Sequence, residues 1–258
     1  MKKFCRQPAL AICLLLQAVP LMAADAPAEI PILIQEDADA TGKVLPPSPI
    51  IPGIISLLAA ESGLNLVVSP YPWRRAQMMA ENGEGLLYGA AITPERSRVF
   101  HFTKPLDTVN QWLVSSAQAP LVFQQWENLR GKTISILSGG KYSAEFEERR
   151  GKLFAVEQNS AMLANRLKML AAKRVDAVLI ASYLNAPQLE ARLNCMYPDS
   201  LKWVVAGKPL DTEPMMIAIP KSAPLNSTLP VLNDAIDRLV KSRSLQKFHE
   251  MKAPGSNC

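Results

Sequence analysis

The chain contains only two histidines, His101 and His249, and four cysteines, none of them at metal-ligand spacing from another. A zinc site built from paired histidines or a Cys-x-x-Cys element is therefore excluded. No Gly-x-Ser-x-Gly elbow occurs, so the usual strand-to-helix serine nucleophile is missing. No complete phosphate-loop or dinucleotide fingerprint occurs either, and Gly139-Gly140 before a helix offers an anion cradle at most. Blocks of like charge and low-complexity tracts are absent, which argues against extended disorder. No period of repeat length is found, which argues against a solenoid. What is present is ordinary globular composition, with 48% hydrophobic and 20% charged residues over 258 positions. That suffices for a real core in one domain or two modest ones.

The N-terminus stands apart. Lys2, Lys3 and Arg6 form a positive region, Ala9 to Ala18 is apolar apart from Gln17, and Pro20 ends the run before Met22-Ala23-Ala24. This three-part pattern is that of a secretory signal over residues 1–24, cleaved after Ala23 or Ala24. The apolar run is too short to span a bilayer. Cys13 lies inside it rather than after a small-residue cleavage site, so lipidation is not expected. Cleavage removes three basic residues and no acid, taking the net charge from +5 to +2. The high pI is thus partly the leader's, and no nucleic-acid partner is expected. Cys5 and Cys13 leave with the leader. Cys195 and Cys258 remain as a candidate disulfide in an oxidising compartment, with two free thiols as the alternative.

Hydrophobic patterning then gives a first strand at Ile30 to Gln35, buried on both faces. A helix over Pro52 to Ser62 stops at Gly63, and a strand covers Leu64 to Ser69. A helix begins at Pro72 and runs to Asn82 before Gly83, and a third strand covers Leu86 to Ala91. Alternating strands and helices imply parallel pairing with right-handed crossovers. Asn110 to Ser116 reads as a crossing segment, after which the pattern restarts. Strands follow at Thr133 to Leu137, Leu153 to Glu157, Ala177 to Ile180 and Leu201 to Val205. Helices are expected from about Tyr142 to Arg150 and over Ser160 to Ala172. Met215 to Ile219 is a second crossing, and the tail from Leu225 to Glu250 is mostly helical. Two α/β units joined by two crossings make a two-lobed protein with a cleft. His101, between Phe100 and Phe102, reads as structural. Glu36, Asp37 and Asp39 read as a solvated loop.

The most informative stretch runs from Tyr71 to Leu106. It contains Tyr71-Pro72-Trp73-Arg74-Arg75-Ala76, Gly83-Glu84-Gly85, Gly89-Ala90-Ala91-Ile92-Thr93-Pro94-Glu95-Arg96 and Phe102-Thr103-Lys104-Pro105-Leu106. Thr93 can cap a helical turn that begins at Pro94. Arg96 then sits beyond the carboxyl end of a parallel strand, where open α/β sheets bind ligands. Its planar fork suits a carboxylate; a surface ion pair is the alternative. For Trp73 the alternative is a core residue.

These elements, in this order, resemble the signature of the family 3 extracellular solute-binding proteins, typified by polar-amino-acid receptors of ABC transporters. Leu129-Arg130-Gly131-Lys132 with Ser138-Gly139-Gly140, Lys173-Arg174-Val175-Asp176-Ala177-Val178 and Ile217-Ala218-Ile219-Pro220-Lys221 extend the likeness over nearly the whole mature chain. The resemblance implies a two-lobed α/β fold of the type II periplasmic-binding-protein kind. It implies a first lobe over 25–110, a second over 111–210, and a return to the first over 211–258. Arg96 matches the carboxylate-binding arginine, and Gly89 and Ala91 match ligand-facing positions. Tyr71 or Trp73 matches the aromatic platform. Gly140, Lys141 and Tyr142 match a helix start that offers N–H groups to an anion. Asp176 matches a structural turn, and the position given to an amine-binding acid is Ala181. The turn aspartate is replaced by Glu84, and Glu36-Asp37-Ala38-Asp39 stands where an aromatic and a Pro-Pro-Phe run are usual. These departures set the chain on an outlying branch.

The function so implied is a periplasmic, monomeric protein that captures a small polar solute, without cofactor or catalysis, for an inner-membrane permease. A sensor on the same scaffold and a lyase are the alternatives. N-terminal sequencing of protein from the periplasmic fraction should begin near Ala24 or Asp25. A full-length cytoplasmic chain would refute the leader.

Overall fold

The computed structural model describes residues 28–39, 41–198, 201–222 and 224–251. The expected leader with its expected cleavage site, and Cys258, lie outside the described residues. Cys195 is disulfide-bonded, and its expected pairing with Cys258 stays a proposal.

The chain opens with β1 (Ile30–Gln35), a small hairpin of β2 (Asp37–Ala38) and β3 (Val44–Leu45), and α1 (Ile50–Ser62). It continues through β4 (Leu66–Tyr71), α2 (Trp73–Glu81), β5 (Leu86–Tyr88), α3 (Arg96–Val99) and β6 (Phe100–Phe102). It leaves as β7 (Asp107–Ser116) and then forms β8 (Thr133–Ser135), α4 (Ala144–Arg149), β9 (Ala155–Glu157) and α5 (Leu163–Ala171). After β10 (Ala177–Ser182), α6 (Ala186–Met196) and β11 (Trp203–Val205) it returns through β12 (Asp211–Met215) and β13 (Ile217–Pro220), ending in α7 (Thr228–Ser242) and α8 (Ser244–Met251).

Two sheets result. The first has the order β4-β1-β5-β13-β6, with β1 parallel to both β4 and β5, and β13 antiparallel to β5 and β6. The second has the order β11-β7-β10-β8-β9, with β12 also on β7. Each is mixed: the parallel pairing expected from the alternation of strands and helices holds for β1 with β4 and β5 and for β8 with β9 and β10, while the pairings of β7 and β13 are antiparallel. Chain punctuation follows the expected chemistry. Gly63 closes α1 in the left-handed region, where a side chain would be strained. Pro72 precedes the first residue of α2. Asp176 accepts from the Thr133 N–H at 2.8 Å and from Lys132 Nζ at 3.3 Å, so it does hold a turn.

Among the boundaries that differ from expectation, three have identifiable reasons. The second crossing is not one strand: Asp211–Met215 pairs with β7, and Ile217–Pro220 joins the first sheet. The change of partner falls at Met216. Helix α4 begins at Ala144, not Tyr142, because Ser143 is its N-cap and its side chain accepts from the Phe146 N–H. The tail is two helices, broken at Arg243 by a left-handed backbone (φ 56°).

The first core packs Ile32 and Ile34 of β1, Leu86 of β5 and Ile217 and Ile219 of β13 against α1 and α7. Gly85 makes the close approach of β5 to β1 possible. A Cβ built there would lie 2.7 Å from the Pro31 carbonyl oxygen, a backbone atom of a central strand that cannot step aside. Gly85→Ala should therefore destabilise the protein by about 1–3 kcal/mol, even though glycine usually weakens a strand. Urea denaturation of the two proteins checks this.

Candidate functional site

One cavity of about 300 Å³ lies between the sheets. Its walls come from both lobes and from the two crossing strands. Six of the eight residues matched to the ligand site line it: Trp73, Gly89, Arg96, Gly140, Lys141 and Tyr142. Tyr71 and Ala91 do not. Tyr71 ends β4 with the Arg75 guanidinium 4.9 Å from its ring centroid. Ala91 acts through its backbone, accepting from Arg96 Nη1 at 3.0 Å.

Local structure sets Arg96. Its N–H donates to Thr93 Oγ1 at 3.2 Å, the cap foreseen for this turn. Gly89, at the end of β5, has φ 83°, a conformation that turns the chain toward the cavity and disfavours a side chain. The Arg96 side chain is 7% exposed. Nη1 bonds Ala91 O, Nη2 bonds Gln77 Oε1 at 3.3 Å, and the guanidinium sits 5.9 Å from the Trp73 ring centroid. Among the described residues it forms no ion pair. A buried guanidinium with no acid in contact is costly unless a ligand supplies one; burial lowers its pKa from the usual arginine range, and the Glu81, Glu147 and Glu95 carboxylates act against that shift.

Trp73 answers both of its readings. It packs with Leu33, Ala76 and Phe100 in the core and also borders the cavity. Its Nε1 donates to Gly139 O of the other lobe at 3.3 Å, as does Gln77 Nε2, and Arg74 Nε reaches Ser138 Oγ at 3.2 Å. The Tyr88 and Tyr183 hydroxyls meet at 2.5 Å, also across the lobes. The molecule is therefore in a closed arrangement.

Of the N–H groups foreseen as an anion cradle, two are used within the second lobe: Gly140 N donates to Leu137 O at 2.9 Å, and Tyr142 N donates to Glu147 Oε1 at 3.2 Å.

Five polar cavity residues were not foreseen as ligand contacts: Asp37, Gln111, Arg166, Arg192 and Glu213. Asp37 was read as a solvated loop residue. It keeps solvent contact, yet the protein around it raises its carboxyl, with Arg192 and then Arg166 opposing that shift. Arg166 is 5% exposed, and its Nη2 donates to Ser135 O at 2.9 Å and to Leu179 O. It falls between Leu163 and Leu170 on the apolar face of α5, a helical spacing that could have marked it as buried. Glu213 stands on β12. Burial raises its pKa, and a hydrogen bond from Gln111 partly offsets this.

No family model matches the chain, and comparison with curated proteins found no relative in sequence. Solved structures do match. An amino-acid ABC transporter substrate-binding protein from Streptococcus pneumoniae, bound to L-arginine, is 18% identical with a TM-score of 0.64, covering 86% of this chain and 93% of its own. The GluR0 ligand-binding core from Nostoc punctiforme, in complex with L-glutamate, is 17% identical with a TM-score of 0.61, covering 87% and 100%. An ancestral amino-acid-binding protein, a precursor of cyclohexadienyl dehydratase, is 17% identical with a TM-score of 0.64, covering 88% and 96%. The chain has the type II periplasmic-binding-protein fold. The expected architecture is confirmed, and the likeness lies in structure, not in close sequence identity.

The raised carboxyl of Glu213 has a stability consequence. The folded protein holds this proton more tightly than the unfolded chain. Stability from this group is therefore full at low pH and is lost as pH rises through its folded pKa. In ligand-free protein, Glu213→Gln should raise the urea midpoint at about pH 7 and leave little difference near about pH 4. Equal gaps at both pH values would show that Glu213 is not the group responsible.

Proposed function

We propose that this protein is a periplasmic solute-binding protein that captures a small polar, carboxylate-bearing solute and hands it to an ABC-type membrane transporter. The supporting observation is Arg96, a buried guanidinium on the cavity wall without an acid partner among the described residues. A carboxylate would supply the missing charge and bond the planar fork. Solved structures of this fold are bound to L-arginine and L-glutamate, which fits a cavity of about 300 Å³. No helix among the described residues is long and apolar enough to cross a membrane.

A sensor on this scaffold is the second reading, because the GluR0 ligand-binding core shares the fold. A neighbouring permease and ATPase would favour transport, and a neighbouring signalling partner would favour sensing. The likeness to a dehydratase precursor raises a lyase as a third reading. Return of the bound solute unchanged after incubation with excess protein supports a binding role, and conversion identifies a lyase.

The test begins with mass spectrometry of small molecules released by denaturing protein from the native periplasm. A carboxylate is expected. Calorimetry with that solute should show Arg96→Ala weakening binding by roughly tenfold to a few hundredfold, the loss of one charge-assisted pair. Arg96→Lys should recover only part, since an ammonium lacks the fork. Unchanged affinity in Arg96→Ala would make Arg96 structural and end this reading.

A further inference from the structure

Each lobe places one buried arginine on the cavity wall, and each arginine has neutral hydrogen-bond partners. Arg96 follows β5 in the first lobe and bonds Ala91 O and Gln77 Oε1. Arg166 stands on α5 in the second lobe and is 5% exposed. Its Nη2 donates to Ser135 O, at the carboxyl end of β8, and to Leu179 O of the parallel neighbour β10. Both guanidiniums thus lie where open α/β sheets meet their ligands. Both line the cavity, and neither forms an ion pair among the described residues.

Arg166 also has a bond unmade. Its Nε is buried without a hydrogen-bond partner, whereas buried polar atoms are nearly always paired. Burial lowers its pKa, and Tyr142, Glu157 and Asp37 oppose that shift. The acids that act on Arg96 are different ones, Glu81, Glu147 and Glu95. The two arginines stand on opposite lobes and share no partner, so each calls for an anionic group of its own.

The neutral atoms describe what lies between those groups. Gln35 Oε1 and Gln111 Oε1 are buried in the same cavity without partners. The amide nitrogens orient both side chains by donating to Glu36 O and to Glu213 Oε2. Each amide oxygen can only accept, so the solute must donate. Charge decides which donor. Arg96, Lys141, Arg166 and Arg192 line the cavity against two carboxyls, Asp37 and Glu213. Lys141 and Asp37 are exposed and screened by water. Burial raises the Glu213 carboxyl, with Asp211 and Glu147 adding to the shift and hydrogen bonds from Gln111 and the Ser143 N–H opposing it. A cationic donor would add to positive charge that is already uncompensated, whereas a hydroxyl would not.

We propose that the cavity takes a hydroxylated dicarboxylate, with Arg96 holding one carboxylate, Arg166 holding the other across the closed cleft, and hydroxyls meeting Gln35 and Gln111. This rests on the solute-binding reading above and names its solute class.

Calorimetry on the mature protein tests it with matched pairs: tartrate and threonate, glucarate and gluconate, galactarate and galactonate. In each pair the second member has a hydroxymethyl group in place of one carboxylate. The standard L-α-amino acids complete the set. At least one dianion should bind about tenfold or more tighter than its partner, the scale of a charge-assisted bond. In Arg166→Gln that preference should fall below about threefold. Arg166→Lys should keep part of it, since an ammonium supplies the charge without the fork. If Arg166→Gln weakens both members equally and the preference survives, Arg166 is structural and the assignment fails. Should neither variant fold, a crystal structure of the wild-type complex decides: a second carboxylate within hydrogen-bond distance of Arg166 Nε supports the assignment, and its placement elsewhere overturns it. Binding of a monocarboxylate or an amino acid with no dianion bound more tightly overturns the solute class alone. Failure of every carboxylate to bind overturns the solute-binding reading as well.

Discussion

The hydrogen-bonded pairing of the two crossing segments is the constraint on which the rest depends. Thr103 N donates to Ile217 O, and Ile217 N donates to Thr103 Oγ1, each at 3.0 Å. Leu106 N then donates to Met215 O at 2.8 Å, and the ladder runs on from Asp107↔Met215 to Asp211↔Gln111. Both passages between lobes therefore move as one ribbon. Thr103 is 4% exposed, so its hydroxyl replaces a solvent contact that the Ile217 N–H cannot make. Because Val109, Gln111, Glu213 and Met215 lie along this ribbon and face the cavity, the hinge and the floor of the site are the same piece of chain. His249 of α8 bonds Asp107 at 2.7 Å and stacks on Tyr183, which ties the C-terminal helices to the first residue of that ribbon.

The cavity is assembled against the ordinary preferences of a folded interior. The core clusters are built largely of Ile, Leu, Val and Phe. The cavity wall carries two arginines that are almost fully buried and outside any ion pair among the described residues. Glu213, whose carboxyl is raised by burial, stands there too. Each such group costs free energy in the empty protein. Sequences usually depart from the rules of stable packing where a ligand is to be met. The cavity lies where these departures coincide, and the backbone alone would not have located it.

Much of this was legible in the sequence, for local reasons. Gly63, Pro72 and the Thr93-Pro94 turn carry their conformations in their own covalent chemistry, so the C-terminal end of α1, the start of α2 and the placing of Arg96 could be read directly. Trp73, Gly89 and Arg96 were legible because the motif around them is local too. Glu213 was not. The stretch Asp211-Thr212-Glu213-Pro214-Met215 has the composition of a turn, and only its register with β7 reveals that Glu213 shares a face with Gln111. Asp37, read as solvated, is indeed exposed, and only the folded structure shows that it also borders the cavity. Helix α4 starts at Ala144 and not at Tyr142 because the Ser143 hydroxyl caps it, a detail of side-chain geometry that the Gly139-Gly140 pair nearby does not reveal.

Closure follows from where the charges sit. Arg96 belongs to the first lobe, Tyr142 and Ala181 to the second, and Glu213 to the ribbon between. A solute that touches only Arg96 favours neither the open nor the closed state, since that contact is available in both. A ligand shifts a conformational equilibrium only by its differential affinity for the two states. The contacts that exist only on closure are those across the cleft, and Trp73 Nε1 with Gly139 O and Tyr88 with Tyr183 show that the protein already makes some by itself. The closed state is thus partly stabilised by the protein's own cross-cleft contacts, while the unpaired polar atoms inside oppose it. A solute that neutralises those atoms removes the opposition, and the balance moves toward closure without any new protein contact being required.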